Sequence, residues 1–428
     1  MISSGRLTRA LRHPNYRLFF GGQSVSLVGT WITRIATSWL IYRLTGSELL
    51  LGVVGFCGQV PTLFVAPFAG VLVDRWDRHR ILLVTQTLSM LQSLALAGLT
   101  LSGSITVRSI LVLQIVQGLI NAFDTPARQA FVVELVEDRA DLANAIALNS
   151  SMVNGSRVIG PSIGGALIAV VGEGWCFLAD AVSYVFVIVS LLAMRVPKTR
   201  RRPVEARVLA ELKTGYRYVM ASDPIRTALL LLAIVSALGM PYTVLMPVIV
   251  TTVLHGGPST LGLLMTASGI GALAGALYLA SRESVVGLGR VSTISTIAFG
   301  AGLIAFAWTR SEIVALLVLP VVGAGLMVQM GSINTILQTI VEDHLRGRVM
   351  AFYTMAFFGS APIGSLLAGV AADRIGAQWT IAGCGLACVL GGLWFARQLP
   401  SLRALVRPIY IDRGILPVPA VDSGAKTL

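Results

Sequence analysis

Three charged residues interrupt otherwise apolar segments of the chain: Arg34, Arg157 and Asp180. A charge in an apolar segment is costly unless it is paired or hydrated, and such residues mark ion, proton or substrate pathways. Arg34 and Asp180 lie at similar distances from the ends of their segments. We predict that Asp180 pairs with Arg34, or alternates between Arg34 and Arg157, because a carboxylate whose basic partner can leave is able to carry a proton. A static ion pair that joins the segments is the alternative.

The segments that position these charges are long and apolar. Hydrophobic residues make up 55% of the chain, charged residues 12%, and the mean hydropathy is +0.79. This composition leaves too little polar surface for a soluble globule, and each membrane crossing needs roughly 20 apolar residues. Twelve segments meet that length: 18–42, 49–73, 81–102, 109–127, 143–171, 175–194, 227–253, 260–280, 288–308, 312–335, 350–371 and 377–396. We therefore predict an all-α membrane protein with twelve transmembrane helices.

The order of the segments predicts two halves. The predicted organisation is a cytoplasmic N-terminal tail (1–17), a six-helix bundle (18–194), a basic cytoplasmic linker with an amphipathic helix (195–226), a second six-helix bundle (227–400) and a cytoplasmic C-terminal tail (401–428). Leu209, Leu212, Tyr216 and Val219 recur every three or four residues in the linker, which predicts the amphipathic helix. The tail from Ser401 is expected to be irregular.

Basic residues predict the orientation of the segments. With both termini in the cytoplasm, the short outer loops keep only Arg43, Arg108, Arg310 and Arg374, and the other loop and tail arginines fall inside. The basic residues behind the formal net charge of +13 then serve to set the membrane topology and to contact anionic lipid. Nucleic acid is therefore not an expected partner. All four cysteines fall in or beside apolar segments, which indicates neither a metal site nor a disulfide framework.

An internal repeat relates the two halves. Pro161 interrupts the fifth segment and Pro362 the eleventh, Gly172 and Trp175 recur as Gly376 and Trp379, and the acidic pair at 137–138 recurs at 342–343. These landmarks keep one order and nearly one offset, which indicates a direct repeat. In transporters built from such repeats the substrate site lies near the membrane midplane between the halves.

A polar cluster follows the second segment. Its members are Gly70, Asp74, Arg75, Arg78 and Arg80. This pattern resembles the loop signature of the major facilitator superfamily, although Asp77 stands where that family usually has glycine. The resemblance implies a cytoplasmic gate in which Asp74 meets the start of the eleventh helix and an arginine at the end of the fourth, for which Arg128 is the candidate. A loop that only sets topology is the alternative.

A second motif lies in the fifth segment, as Gly160, Pro161, Ser162, Ile163, Gly164 and Gly165. It resembles the motif of antiporters and drug exporters of the superfamily, with Gly160, Pro161, Gly164 and Gly165 as its matching positions and Ser156 where a further glycine is usual. Segments 44–47, 126–131, 144–150 and 345–350 narrow the resemblance to the bacterial branch of enterobactin-exporter-like proteins, also called transmembrane secretion effectors. The resemblance favours efflux and leaves the cargo open.

These observations predict a secondary active transporter in a bacterial plasma or inner membrane. We expect a monomeric, proton-coupled exporter of a small amphipathic molecule, siderophore or drug-like, working by alternating access. Polar side chains expected to contact the substrate are Gln23, Gln117, Asn121 and Gln338. The chain has no nucleotide-binding Gly-Lys-Ser or Gly-Lys-Thr segment, so we expect neither an enzyme nor a cofactor. The alternatives are a uniporter, a symporter or a lipid flippase on this fold, or a transport-inactive receptor or scaffold.

Overall fold

The computed structural model describes residues 9–136, 138–195, 208–282 and 284–417. Within them the chain forms twelve long helices, α1 to α12. The first six are Pro14–Thr45, Glu48–Arg75, Arg78–Leu101, Val107–Glu134, Arg139–Val171 and Glu173–Ala193. The second six are Asp223–Thr252, Pro258–Ala280, Leu288–Trp308, Glu312–Ile340, Asp343–Ile375 and Ala377–Asp412. The predicted tails before residue 9 and after residue 417, and linker residues 196–207, lie outside the described residues.

Ten of the described helices are long and apolar enough to cross a membrane by length and composition alone. The other two long helices, α1 and α5, are less apolar than these ten. Each of them has an arginine in its middle, Arg34 in α1 and Arg157 in α5. The helices pack as two groups of six. In the first, α1 packs on α5 and α6, and α4 packs on α2 and α3; in the second, α10 packs on α8 and α9, and α9 also packs on α12.

Short caps and turns separate neighbouring helices. The Ser47 side chain accepts a hydrogen bond from the Leu50 amide at the start of α2. Asp77 caps α3 by accepting from the amides of His79 and Arg80, at 3.0 and 3.3 Å. Its φ of −67° is ordinary for any residue, so an aspartate at this position needs no strained backbone. The departure from the family signature is therefore a helix cap.

The repeat predicted from the sequence is visible at two matching turns. Gly172 between α5 and α6 has φ of 86°, and Gly376 between α11 and α12 has φ of 85°. Both values lie in the region that favours glycine. The repeat is not exact in the helices themselves, because α7 and α11 each contain a π-helical turn, at Val235–Gly239 and Met355–Gly359. Ser236 in the first turn donates a hydrogen bond to the Phe357 carbonyl in the second.

Regular structure extends beyond the bundles in the linker and at the end of α12. The linker contains a helix, Val208–Ala221, that packs on the start of α11, where the rings of Tyr216 and Phe352 are 6.5 Å apart. Burial raises the pKa of Tyr218 in this helix. At the other end of the chain, the expected irregular tail from Ser401 is wrong for its first part, because α12 continues to Asp412 through Pro400 and Pro408.

Candidate functional site

A central cavity of about 260 Å³ lies between the two bundles. The first bundle supplies its three charged side chains, Arg34, Arg157 and Asp180, while the described lining from the second bundle is uncharged. That second wall includes Tyr242, Met246 and Met265, among other residues. The cavity is therefore charged on one side and largely apolar on the other. Its volume lies just below the roughly 300–1,000 Å³ usual for small-molecule sites.

Asp180 lies in the charged wall and is only 1% exposed. Its carboxylate oxygen Oδ2 accepts hydrogen bonds from Thr33 Oγ1 at 2.8 Å and from Ser93 Oγ at 2.7 Å. Ser183 Oγ lies 3.5 Å from the other oxygen, Oδ1. These bonds join α6 to α1 and α3 through one side chain. Among the described residues no arginine or lysine pairs with Asp180, so the predicted ion pair with Arg34 is not formed in this conformation.

The partners of Asp180 suit two protonation states. A hydroxyl group is both a donor and an acceptor, and it rotates to suit its neighbour. Thr33 and Ser93 can therefore donate to an ionised carboxylate or accept from a protonated one. An arginine can only donate and would favour the ionised form. The arrangement allows Asp180 to gain and lose a proton without losing its hydrogen-bond partners.

Arg34 and Arg157 face the same cavity and share one aromatic ring. The guanidinium carbon of Arg34 lies 4.8 Å from the centroid of the Trp31 ring, and that of Arg157 lies 5.5 Å from it. Such cation–π contacts are attractive within about 6 Å. Neither guanidinium forms an ion pair or hydrogen bond with any residue that the structure describes. The sequence analysis did not predict Trp31 as a residue of the site.

Two of the four predicted substrate contacts line the cavity. Gln117 Nε2 donates to Asn121 Oδ1 at 3.2 Å and to Ser89 Oγ at 3.3 Å, and both Gln117 and Asn121 face the cavity. Gln23 is buried in α1 away from the cavity lining. Gln338 is exposed on α10, also away from that lining, and its amide donates to Asn334.

A fourth charge lies in a membrane-spanning helix, so the expectation of only three is wrong. Asp124 in α4 is 7% exposed and accepts hydrogen bonds from Thr85 at 2.9 Å and Gln86 at 2.7 Å. Arg128, one turn later, lies 3.7 Å from its carboxylate. The network therefore occupies both Asp124 and Arg128 inside the first bundle.

The predicted gate cluster is partly described. The side chain of Asp74 lies outside the described residues, and Arg75 is the last residue of α2. Arg78 Nη1 pairs with Glu134 at the end of α4, at 2.8 Å. The ion pairs of Arg78 with Glu134 and of Arg128 with Asp124 thus lie within the first bundle.

The glycine motif of α5 contacts a different helix on each of two faces, α1 on one and α8 on the other. Towards α1, Gly160 packs on Trp31, and a methyl group at Gly164 would lie 3.2 Å from the Cα of Ile32. Towards α8, a methyl group at Gly165 would lie 2.6 Å from the carbonyl oxygen of Pro258 and 2.8 Å from the Cα of Gly262. Small residues of this kind let helix backbones approach closely. The motif therefore connects Trp31, the ring that both cavity arginines contact, with the contact between the two bundles.

The bundles touch at one end of the cavity. A methyl group at Gly52, near the start of α2, would lie 2.9 Å from the Cα of Gly369 in α11. This contact and the one between α5 and α8 lie at the same end, where α1 turns into α2 and α5 into α6. Towards the other end, α4 and α10 both line the cavity but form no extended packing contact with each other in the described residues.

Solved structures with this architecture include transporters. A bacterial homologue of the human lysosomal transporter Spinster, in an inward-facing and unoccupied conformation, matches with a TM-score of 0.71 at 14% identity, covering 98% of this chain and 100% of that one. The same homologue in an inward-facing and occupied conformation matches with a TM-score of 0.72 over 95% of this chain and 99% of that one. This likeness shows the fold: the described residues form twelve long helices in two bundles around a central cavity, which is the major facilitator fold.

The chain belongs to the transmembrane secretion effector family, whose model matches residues 8–408. It is 27% identical to the staphyloferrin A transporter of Staphylococcus aureus over 390 residues, 90% of this chain and 97% of that protein. It is 28% identical to the multidrug efflux pump Tap of Mycolicibacterium fortuitum over 93% of this chain and 98% of that protein. The macrolide efflux protein A of Streptococcus pyogenes is 22% identical over 88% and 96% of the two chains. The resemblance predicted from the motifs is confirmed.

Proposed function

We propose that this protein is a proton-driven exporter of a small amphipathic molecule across a bacterial plasma membrane, acting as a monomer with both termini in the cytoplasm. Export is supported by the family and by relatives named as efflux pumps. The relative named as a staphyloferrin A transporter supports a siderophore-like cargo as one option. The cavity, with one charged and one apolar wall, fits an amphipathic molecule.

The observation that carries the proposal is the setting of Asp180. Its carboxylate lines the cavity, is nearly inaccessible, and is held by hydroxyl groups from α1 and α3 rather than by a cation. Those hydroxyls serve both protonation states. Arg34 and Arg157 line the same cavity, so a change of helix position during the transport cycle would offer Asp180 a cationic partner. That exchange of partners is the proposed proton-coupling step.

Alternating access is proposed to work through the glycine contacts. With both termini in the cytoplasm, the end closed by Gly52, Gly165, Gly262 and Gly369 is the outer end, and the cavity opens towards the cytoplasm. Cargo then enters from the cytoplasm. Rocking of the bundles separates the glycine contacts and brings the inner ends of α4 and α10 together, where Asp74, Arg75, Arg78 and Arg128 form the cytoplasmic gate.

The test uses inverted membrane vesicles whose lumen is acidified and followed with a pH-sensitive dye. A panel of siderophores, amphipathic carboxylates and hydrophobic cations is added outside. A transported compound should release luminal protons from vesicles with the wild-type protein, and Asp180→Asn should abolish this release. Glu173→Gln is the matched control, because Glu173 is a buried acid paired with Arg43 away from the cavity lining.

Other outcomes would favour the alternatives. Cargo flux that ignores the pH gradient in wild type and Asp180→Asn alike would favour a uniporter or a lipid flippase. Proton and cargo movement in the same direction would favour a symporter. Absence of flux for every compound, with intact binding, would favour a receptor or scaffold.

A further inference from the structure

We propose that the central cavity is an anion site, in which Arg34 and Arg157 together bind a carboxylate of the cargo. This inference rests on the proposed transport of a small molecule and adds the chemical class of that molecule. It starts from two cationic side chains that face one cavity and have no anionic partner among the described residues. Their shared contact is the neutral ring of Trp31.

Two positive charges around one indole ring repel each other. Screening by water is reduced in a cavity walled by protein, so the repulsion is felt more strongly there than at the surface. The nearest acid in the cavity wall, Asp180, is already held by Thr33 and Ser93. An external anion placed between the guanidinium groups would relieve the repulsion and gain charge-assisted hydrogen bonds.

A carboxylate suits the site better than a neutral or a cationic group. The planar guanidinium fork matches the two carboxylate oxygens, and arginine is less strongly hydrated than lysine. Across the cavity, Tyr242, Met246 and Met265 offer an apolar surface for the remainder of the molecule. A hydrophobic cation without an acidic group would meet two arginines and only one acid. The proposed cargo is therefore an amphipathic carboxylate.

The charges remain compatible with exchange for a proton. With Asp180 ionised and a monocarboxylate bound, the two arginines are fully balanced and the loaded cavity is neutral. With Asp180 protonated and no cargo, the cavity holds two positive charges, which a membrane potential that is negative inside draws towards the cytoplasm. Each cycle would then move net charge as well as cargo.

The test measures binding to the purified full-length protein with three probes of one shape: 1-naphthoate, 1-naphthalenemethanol and 1-naphthylmethylammonium. A ligand that binds the folded state raises the melting temperature by an amount that grows with the logarithm of its concentration divided by its Kd. We expect naphthoate to bind the wild type more tightly than the other two probes. Arg34→Gln and Arg157→Gln should each weaken naphthoate binding about tenfold or more, as expected for loss of a charge-assisted bond. Arg108→Gln, an exposed arginine outside the cavity, should not.

Conservative variants guard against misfolding. Arg34→Lys and Arg157→Lys keep the charge and lose the fork, and we expect them to retain part of the preference for naphthoate. Equal responses to the three probes in the wild type, or a preference for naphthoate that survives in both glutamine variants, would overturn the anion site. Proton movement during transport is scored separately: its absence would overturn proton coupling and leave the anion site standing.

Discussion

Gly165 of α5 and Gly262 of α8 bring the backbones of the two bundles into contact, so that a methyl group at Gly165 would lie 2.8 Å from the Cα of Gly262. Contacts this short leave no room for any side chain. The same glycine motif reaches the cavity through Gly160, which packs on Trp31. Closure of this end of the cavity and the shape of the arginine site are thus linked through one helix.

Gly165→Ala should prevent full closure of the outer end and reduce transport by about tenfold or more, because the added methyl group would meet backbone atoms that cannot rotate away. Gly155→Ala is the matched control on the same helix, since a methyl group there has no neighbour within 4 Å. Transport rates in vesicles, normalised to the amount of folded protein, make the comparison. Equal rates for the two variants would show that the α5–α8 contact does not limit the cycle.

Asp74 should control how often the cytoplasmic side closes. We expect spin labels at Val133 in α4 and Thr335 in α10, both exposed, to report two populations of distance in a chain without its four native cysteines. The longer population corresponds to the structure described above. Asp74→Asn should reduce the shorter population, because the closed gate loses its carboxylate.

The matched variant for this experiment is Asp77→Asn. It keeps a residue that can cap α3 and changes the charge of the neighbouring loop by the same amount. Double electron–electron resonance on both variants gives the distances. Identical distance distributions in the wild type and Asp74→Asn would contradict a role for Asp74 in the gate.

Thr33 and Ser93 should matter for coupling because they hold the Asp180 carboxylate. Removing one such hydroxyl costs on the order of 1 kcal/mol, and more when the acceptor is ionised. Thr33→Val combined with Ser93→Ala should therefore lower pH-driven accumulation of cargo about tenfold while the protein still folds. Ser183→Ala should have a smaller effect, since its hydroxyl lies 3.5 Å from the carboxylate. A double variant with wild-type accumulation would contradict this role.

The linker helix should influence the cycle through its contact with α11. A methyl group at Gly215 would already lie 3.2 Å from the Cβ of Arg348, so Gly215→Leu should displace the helix from α11. We expect slower transport with unchanged affinity for cargo. Lys213→Leu, on an exposed position of the same helix, is the control. Unaltered transport by Gly215→Leu would indicate that the linker only joins the two bundles.

The general fold was predictable because twelve segments are long enough to cross a bilayer, although α1 and α5 are less apolar than the other ten helices. The glycine motif of α5 was predictable for a related reason, since small residues mark close helix contacts. The cap by Asp77 follows from a local rule that could have been applied, because an aspartate directly before a helix is a common cap. Asp124 was missed because it lies near the end of the predicted segment 109–127, where charged residues are common.

The partners of Asp180 could not be read from the sequence with the same ease. The similar depths of Arg34 and Asp180 in their helices predict that both face one cavity, and they do. Whether the two side chains pair also depends on how each helix is rotated about its axis. A polar stripe on α3, formed by Gln86, Ser89 and Ser93, was the available signal that a third helix faces Asp180. The shared position of Arg34 and Arg157 on Trp31 depends on side-chain packing between α1 and α5, which no local pattern encodes.

The central claim is that Asp180 couples cargo movement to protons, and one comparison of two modes of transport tests it most directly. In proteoliposomes, Asp180→Asn should retain exchange of labelled for unlabelled cargo, which needs only alternating access, and should lose accumulation driven by a pH gradient. Glu173→Gln should retain both. Accumulation by Asp180→Asn at the wild-type level would contradict the account, because the proton would then cross by another route.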